Sequence, residues 1–183
     1  MKHAFLLPLL LFAAPAMAQQ ADMSAFKTGP VFEDFGPHAP VPGMGEVPAD
    51  TEFAVAFDVS KAAEDGARNR SFESAARFIN MHVANGVPED NIQVAVVVHG
   101  KAGLDLLSNA AWRAKMGEDA GDNPNQPMVR AMLDQGVRFI LCGQSAAAFG
   151  INAEDLEPGV EMALSAMTAH ALLQQRGYTV NPF

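Results

Sequence analysis

Four apolar runs in this chain each stop at residues able to do chemistry. Residues 137–141 stop at Cys142-Gly143-Gln144-Ser145, and residues 92–98 stop at His99-Gly100-Lys101. Residues 53–57 stop at Asp58, and residues 160–164 at Ser165-Ala166-Met167-Thr168. Cys142 is the one cysteine of the chain and its strongest nucleophile candidate. It sits where a strand gives way to a Gly-led turn into a helix, and the amides and dipole of a helix start favour an anion. A thiolate held there has a lowered pKa and is available for attack. Gly143 allows close backbone approach, and Gln144 and Ser145 can donate hydrogen bonds. A second reading stands beside this one: a small buried residue finishing a strand, as unpaired cysteines commonly are. Pattern does not choose between them.

The neighbouring stops add to either reading. If the second and third strands lie side by side, the His99 imidazole reaches Cys142 or a bound substrate; bonding a loop carbonyl is its structural alternative. Asp58 and Lys101 are candidate substrate-binding groups at the same edge. Lys101 and the Arg68-Asn69-Arg70 cluster could attract an anionic group near the same edge, although solvated surface is the favoured reading. Gly143-Gln144-Ser145-Ala146-Ala147 resembles a nucleophile elbow with Ala where the motif ends in Gly. A Ser145 hydrolase would then need His170 and an acid from Glu154, Asp155, Glu157 or Glu161. His82 and His170 share no metal-ligand spacing with the other histidines, so the sequence names no metal and no cofactor.

These stops need strands to carry them and helices to connect them. Residues 92–98 are almost all Val and Ala, as in a strand covered on both faces. Residues 71–85 carry Phe72, Ala75, Ala76, Ile79 and Val83 at helical spacing, with Ser71 as the expected cap and Gly86 as the stop. Further helices are expected over 104–116, 128–135 and 167–175, a short turn over 145–149, and a last strand over 178–180. Short alternating strands and helices imply a parallel α/β sheet with helices on both faces, and ligands gather at the carboxyl ends of its strands.

Ahead of this domain, expected at 51–183, lie two other segments. Residues 19–50 hold Gly29-Pro30, Gly36-Pro37, Pro42-Gly43 and Pro48, which predict an extended arm pinned by Val31, Phe32, Phe35 and Val41. Residues 1–18 read as a cleavable export signal: Lys2 and His3, an apolar run, then Ala16-Met17-Ala18 before the cut. The run is about half of the ~20 residues that span a bilayer. Export to the periplasm, with cleavage after Ala18, is the expectation. The formal charge of −9 becomes one unit more negative once Lys2 leaves. Such a chain is a poor partner for nucleic acid or anionic lipid, and no later apolar stretch approaches membrane length. Exported domains often pair their cysteines, so a lone thiol is buried, shared between subunits or kept for chemistry.

The stretch from Phe53 to Phe183 resembles the DsrE/DsrF-like family, in particular its exported members. The resemblance rests on Ala56-Phe57-Asp58-Val59, Ala76-Arg77-Phe78-Ile79-Asn80-Met81-His82, Val97-Val98-His99-Gly100-Lys101-Ala102 and Asn123-Pro124-Asn125. It continues through residues 136–145, Asp155-Leu156-Glu157-Pro158-Gly159-Val160 and Gln174-Gln175-Arg176-Gly177-Tyr178. It implies a five-stranded parallel sheet in a three-layer α/β/α, flavodoxin-like architecture that assembles as trimers or hexamers. Cytoplasmic members include sulfur-relay subunits that carry sulfur as a persulfide on a cysteine following a strand, the kind of place Cys142 occupies. The resemblance therefore implies a sulfur-handling protein whose partners are a small sulfur compound or a sulfur donor or acceptor protein. A non-catalytic binding or assembly module with a structural Cys142 is the alternative.

Overall fold

The computed structural model describes residues 22–64 and 66–182; the expected signal at 1–18 lies outside the described residues. Five strands form one sheet: β1 (Phe53–Val59), β2 (Ile92–Val98), β3 (Arg138–Cys142), β4 (Glu161–Ala163) and β5 (Thr179–Asn181). All neighbours are parallel, in the order β4-β3-β2-β1-β5. The helices are α1 (Arg70–Val83), α2 (Asn109–Met116), α3 (Gln126–Asp134), α4 (Gly143–Phe149) and α5 (Ala166–Gln175). This is the expected three-layer α/β sandwich. The strand order is the part that the alternation of elements does not contain.

That order explains the uneven layers. From β1 to β4 the chain steps across the sheet in one direction, and right-handed crossovers keep the intervening helices on one face. The last crossover reverses, from β4 at one edge to β5 beyond β1, so its helix α5 falls on the other face alone. Alternate side chains follow suit. Val55, Phe57, Val59, Val94, Val96, Val98, Phe139 and Leu141 pack with Phe72, Ile79 and Met132 on the helix-rich face. There the Phe72 and Phe139 rings meet edge to face at 5.2 Å. The other face offers Ala56, Ala95, Val97 and Ile140 to Ala169 and Leu173 of α5. The edge strand β4 is held by a two-pronged Arg138–Glu161 pair at 2.7 and 2.8 Å.

Three local expectations are corrected. Asn69, not Ser71, caps α1: its side chain accepts from the amides of Ser71 and Phe72, so one residue of the basic-looking cluster is a buried helix cap. The helix expected over 104–116 is two pieces, a 3-10 helix over Gly100–Leu106 and α2, because Ser108 starts a new helix by accepting from Ala111. In the arm, Phe32 and Phe35 are buried as expected, but Val41 is 59 % exposed. The arm is fastened by a group its own sequence does not show. Asn80 of α1 accepts from the amides of Val31 and Phe32 and donates to the carbonyls of Phe32, Phe35 and Gly36. Gly36 passes so near α1 that a Cβ there would lie 2.7 Å from the Arg77 nitrogen.

Candidate functional site

Register and side-chain alternation assemble the site. Val98 pairs with Leu141, so the next residues, His99 and Cys142, come level, and Cys142 pairs with Ala163 on its other side. Asp58 pairs with Val97. Counting in twos from Ala56, Val97 and Ile140, which face α5, puts Asp58, His99 and Cys142 on that same face at the carboxyl edge. The condition set for His99, that β2 and β3 lie side by side, holds.

Asp58 is the hub of a three-residue cluster. Its Oδ1 lies 2.8 Å from His170 Nε2 and its Oδ2 lies 3.2 Å from His99 Nε2. A carboxylate only accepts, so both Nε2 atoms carry the proton, and a neutral His99 keeps Nδ1 as its free acceptor. Burial opposes the Asp58 charge, but the hydrogen bonds and charges of His170 and His99 outweigh it and hold the pKa below the usual aspartate value. His170 entered the sequence reading only as the histidine of a Ser145 hydrolase, not as a partner of Asp58. Its signal was spacing: Ala166, Ala169, His170 and Leu173 form one inward stripe of α5.

Cys142 is 5 % exposed, with its sulfur among donors from two helix starts. Burial alone would raise its pKa. Hydrogen bonds from the Ser145 hydroxyl and from the amides of Ser145, Ala166 and Gln144 prevail, and the thiol ionises below its ordinary value. The Ser145 hydroxyl is itself oriented, because its oxygen accepts from the Gly100 amide at 2.9 Å. Its proton is thereby free for the sulfur, which links the end of β2 to the nucleophile. Gly143 is required by proximity: a Cβ would stand 2.7 Å from the Ala163 carbonyl oxygen. The Gln144 side chain donates to the Leu164 carbonyl at 3.1 Å, tying α4 to the turn before α5, so this residue serves the thiol through its amide.

The remaining expected residues lie apart. Lys101 is exposed and lines a hollow with Leu104, Asp105 and Trp112, whose neighbours pack into the helix-rich core. Among the described residues no hydrogen bond joins Ser145 to a histidine, since His99 and His170 both turn to Asp58. None of the described residues form a group of three or more His, Cys, Asp or Glu able to hold a metal ion.

The DsrE/DsrF-like family pattern matches residues 53–182, from the first residue of β1 to beyond β5. The chain belongs to the DsrE/DsrF-like family. As a DsrE/DsrF-like chain it also shares its fold with solved structures. They include the protein of unknown function MTH1491 from Methanobacterium thermoautotrophicum and the ychN protein from E. coli. Each is 20% identical, aligned over 72% of this chain and 100% of its own, with a TM-score of 0.50. No curated protein matches the chain.

Proposed function

We propose that this DsrE/DsrF-like protein handles sulfane sulfur, carrying it as a persulfide on Cys142. The observation that carries the reading is the convergence of the Ser145 hydroxyl and three amides on a lone thiol whose pKa they lower. In the step, the Cys142 thiolate attacks the outer sulfur of a donor persulfide R–S–SH. The new Sγ–S bond forms as the donor's S–S bond breaks, giving Cys142–S–SH and a thiolate R–S⁻ that takes up a proton. One sulfur atom moves and no electrons are gained or lost overall. The donors that steady the thiolate also steady the persulfide anion, and the Asp58-linked His99 supplies a proton-exchanging group on the same face.

Partners of this reading are a small persulfide or polysulfide, or a sulfur donor or acceptor protein, with the periplasm as its compartment after cleavage at Ala18. Leu164 on the turn before α5 and Met167 in its first turn, 72 % and 80 % exposed, give a protein partner or further copies in a trimer or hexamer an apolar place to rest beside the thiol.

Polysulfide treatment followed by intact-mass analysis tests the chemistry. Sulfur adducts are expected on the native protein and absent from Cys142→Ser; equal labelling of the two, or none, ends the proposal. The small exposure of Cys142 favours one rival, a binding module in which the cysteine is packing. Native alkylation separates them, since packing predicts a thiol that reacts only after unfolding.

A further inference from the structure

A second hollow lies at the carboxyl edge on the helix-rich side of the sheet, away from the thiol cluster. It encloses about 460 Å³ beneath the chain between β1 and α1, within the usual range for small-molecule sites. Leu104, Trp112 and Met116 give it apolar walls, and Glu64, Lys101 and Asp105 supply its charges.

Two of these groups have bonding capacity left over, and their charges are opposite. Asp105 is 2 % exposed. Its Oδ2 accepts from the Ala63 amide at 2.8 Å and from Asn69 Nδ2 at 2.7 Å, while Oδ1 takes no hydrogen bond among the described residues. Burial holds its pKa above the usual aspartate value despite those two bonds, as expected of a carboxyl short of donors. Lys101 makes neither an ion pair nor a hydrogen bond among the described residues. A donor is wanted at Asp105 and an anion at Lys101, around an apolar interior.

We propose that this hollow binds an apolar α-amino acid or a zwitterion of that size. Its ammonium would meet Asp105 and Glu64, its carboxylate Lys101, and its side chain Leu104, Met116 and the Trp112 ring. The inference is independent of sulfur chemistry at Cys142.

Trp112 is the only tryptophan of the chain, so its emission reports on the hollow directly. L-Leucine and L-methionine are each expected to change that emission saturably. Isoamylamine and 4-methylpentanoate, which each keep one charge, should bind at least about tenfold more weakly. Lys101→Met, on the surface, and Asp105→Asn should each weaken leucine binding by about tenfold. The proposal is overturned by no saturation up to about 10 mM leucine, by half-molecules binding equally well, or by Lys101→Met binding as the native protein does.

Discussion

The two faces of the sheet are built from the same three central strands and serve opposite ends. One face alternates Val, Phe and Leu beneath several helices and the fastened arm, and Phe57, Phe72, Phe139 and Leu141 are at most 2 % exposed. The other carries Ala and Val beneath one helix and ends in Asp58, His99 and Cys142. Large side chains on the first maximise buried apolar area, the main source of stability. Small ones on the second let α5 lie close enough for His170 and the Ala166 amide to reach the strand ends. Stability and chemistry are thus divided by side-chain parity within single strands.

The sharpest test of that division is a pair of truncations. Phe139→Ala removes a fully buried ring from the helix-rich face and should cost about 3–5 kcal/mol. Leu172→Ala, on α5 where that residue is 47 % exposed, should stay within about 0.5 kcal/mol. Denaturant unfolding measures both, and similar losses would break the comparison. Asn80→Ala comes next. It strands amides and carbonyls of the arm that one side chain now serves, each worth about 1–3 kcal/mol if left buried and unpaired. The arm should then become the first site of limited proteolysis; an arm as resistant as before would remove Asn80 from the account.

The succession of elements was legible in the sequence, and so was the fact that Asp58, His99 and Cys142 each follow an apolar run. That the three share one face was not, because residues 92–98 are almost all Val and Ala and the register comes from the sheet. Strand order was not legible, because it depends on where the last crossover lands and not on any local pattern. The pairing of His170 with Asp58 was missed for that reason: its helical stripe was readable, but Asp58 lies 112 positions away in sequence. Asn69 was hidden differently. Flanking arginines made it look like surface, although Asn is a strong cap in its own right. The Lys101 hollow depended on how the chain after β2 turns, and a single expected helix over 104–116 concealed the break at Ser108.

Two aspartates give a third, smaller contrast with opposite signs. Asp58 has a folded pKa below its unfolded one, so its contribution is complete above the unfolded value and is lost as pH falls through the folded value. Asp105, on the helix-rich side, has a raised folded pKa, so stability declines as pH climbs from the ordinary value through the higher folded one. Asp58→Asn should flatten the acid limb of the stability profile. Asp105→Asn should raise the urea midpoint at neutral pH and leave it unchanged at about pH 3, where the native carboxyl is protonated in both states. An Asn oxygen can still accept from Ala63 and Asn69, so the two hydrogen bonds survive. A lower neutral midpoint would mean that Asp105 is stabilising as a charge, and its assignment would reverse.

A modest change in stability should bring the clearest change in chemistry. Ser145→Ala deletes the hydroxyl that the Gly100 amide orients toward Cys142, while the amides of Ser145, Ala166 and Gln144 remain. Two hydrogen bonds are lost at a half-buried position, one from the Gly100 amide and one to the sulfur, a cost of about 1–2 kcal/mol. The thiolate loses its strongest donor, so the pH midpoint for alkylation of Cys142 should rise toward that of an ordinary thiol without reaching it. Ser145→Thr, which keeps a hydroxyl, should restore much of the native profile. Alkylation rates followed across pH in the native and variant proteins decide the matter. A profile unmoved by Ser145→Ala would show that the amides alone set the ionisation, and the link from the end of β2 to the sulfur would lose its chemical meaning.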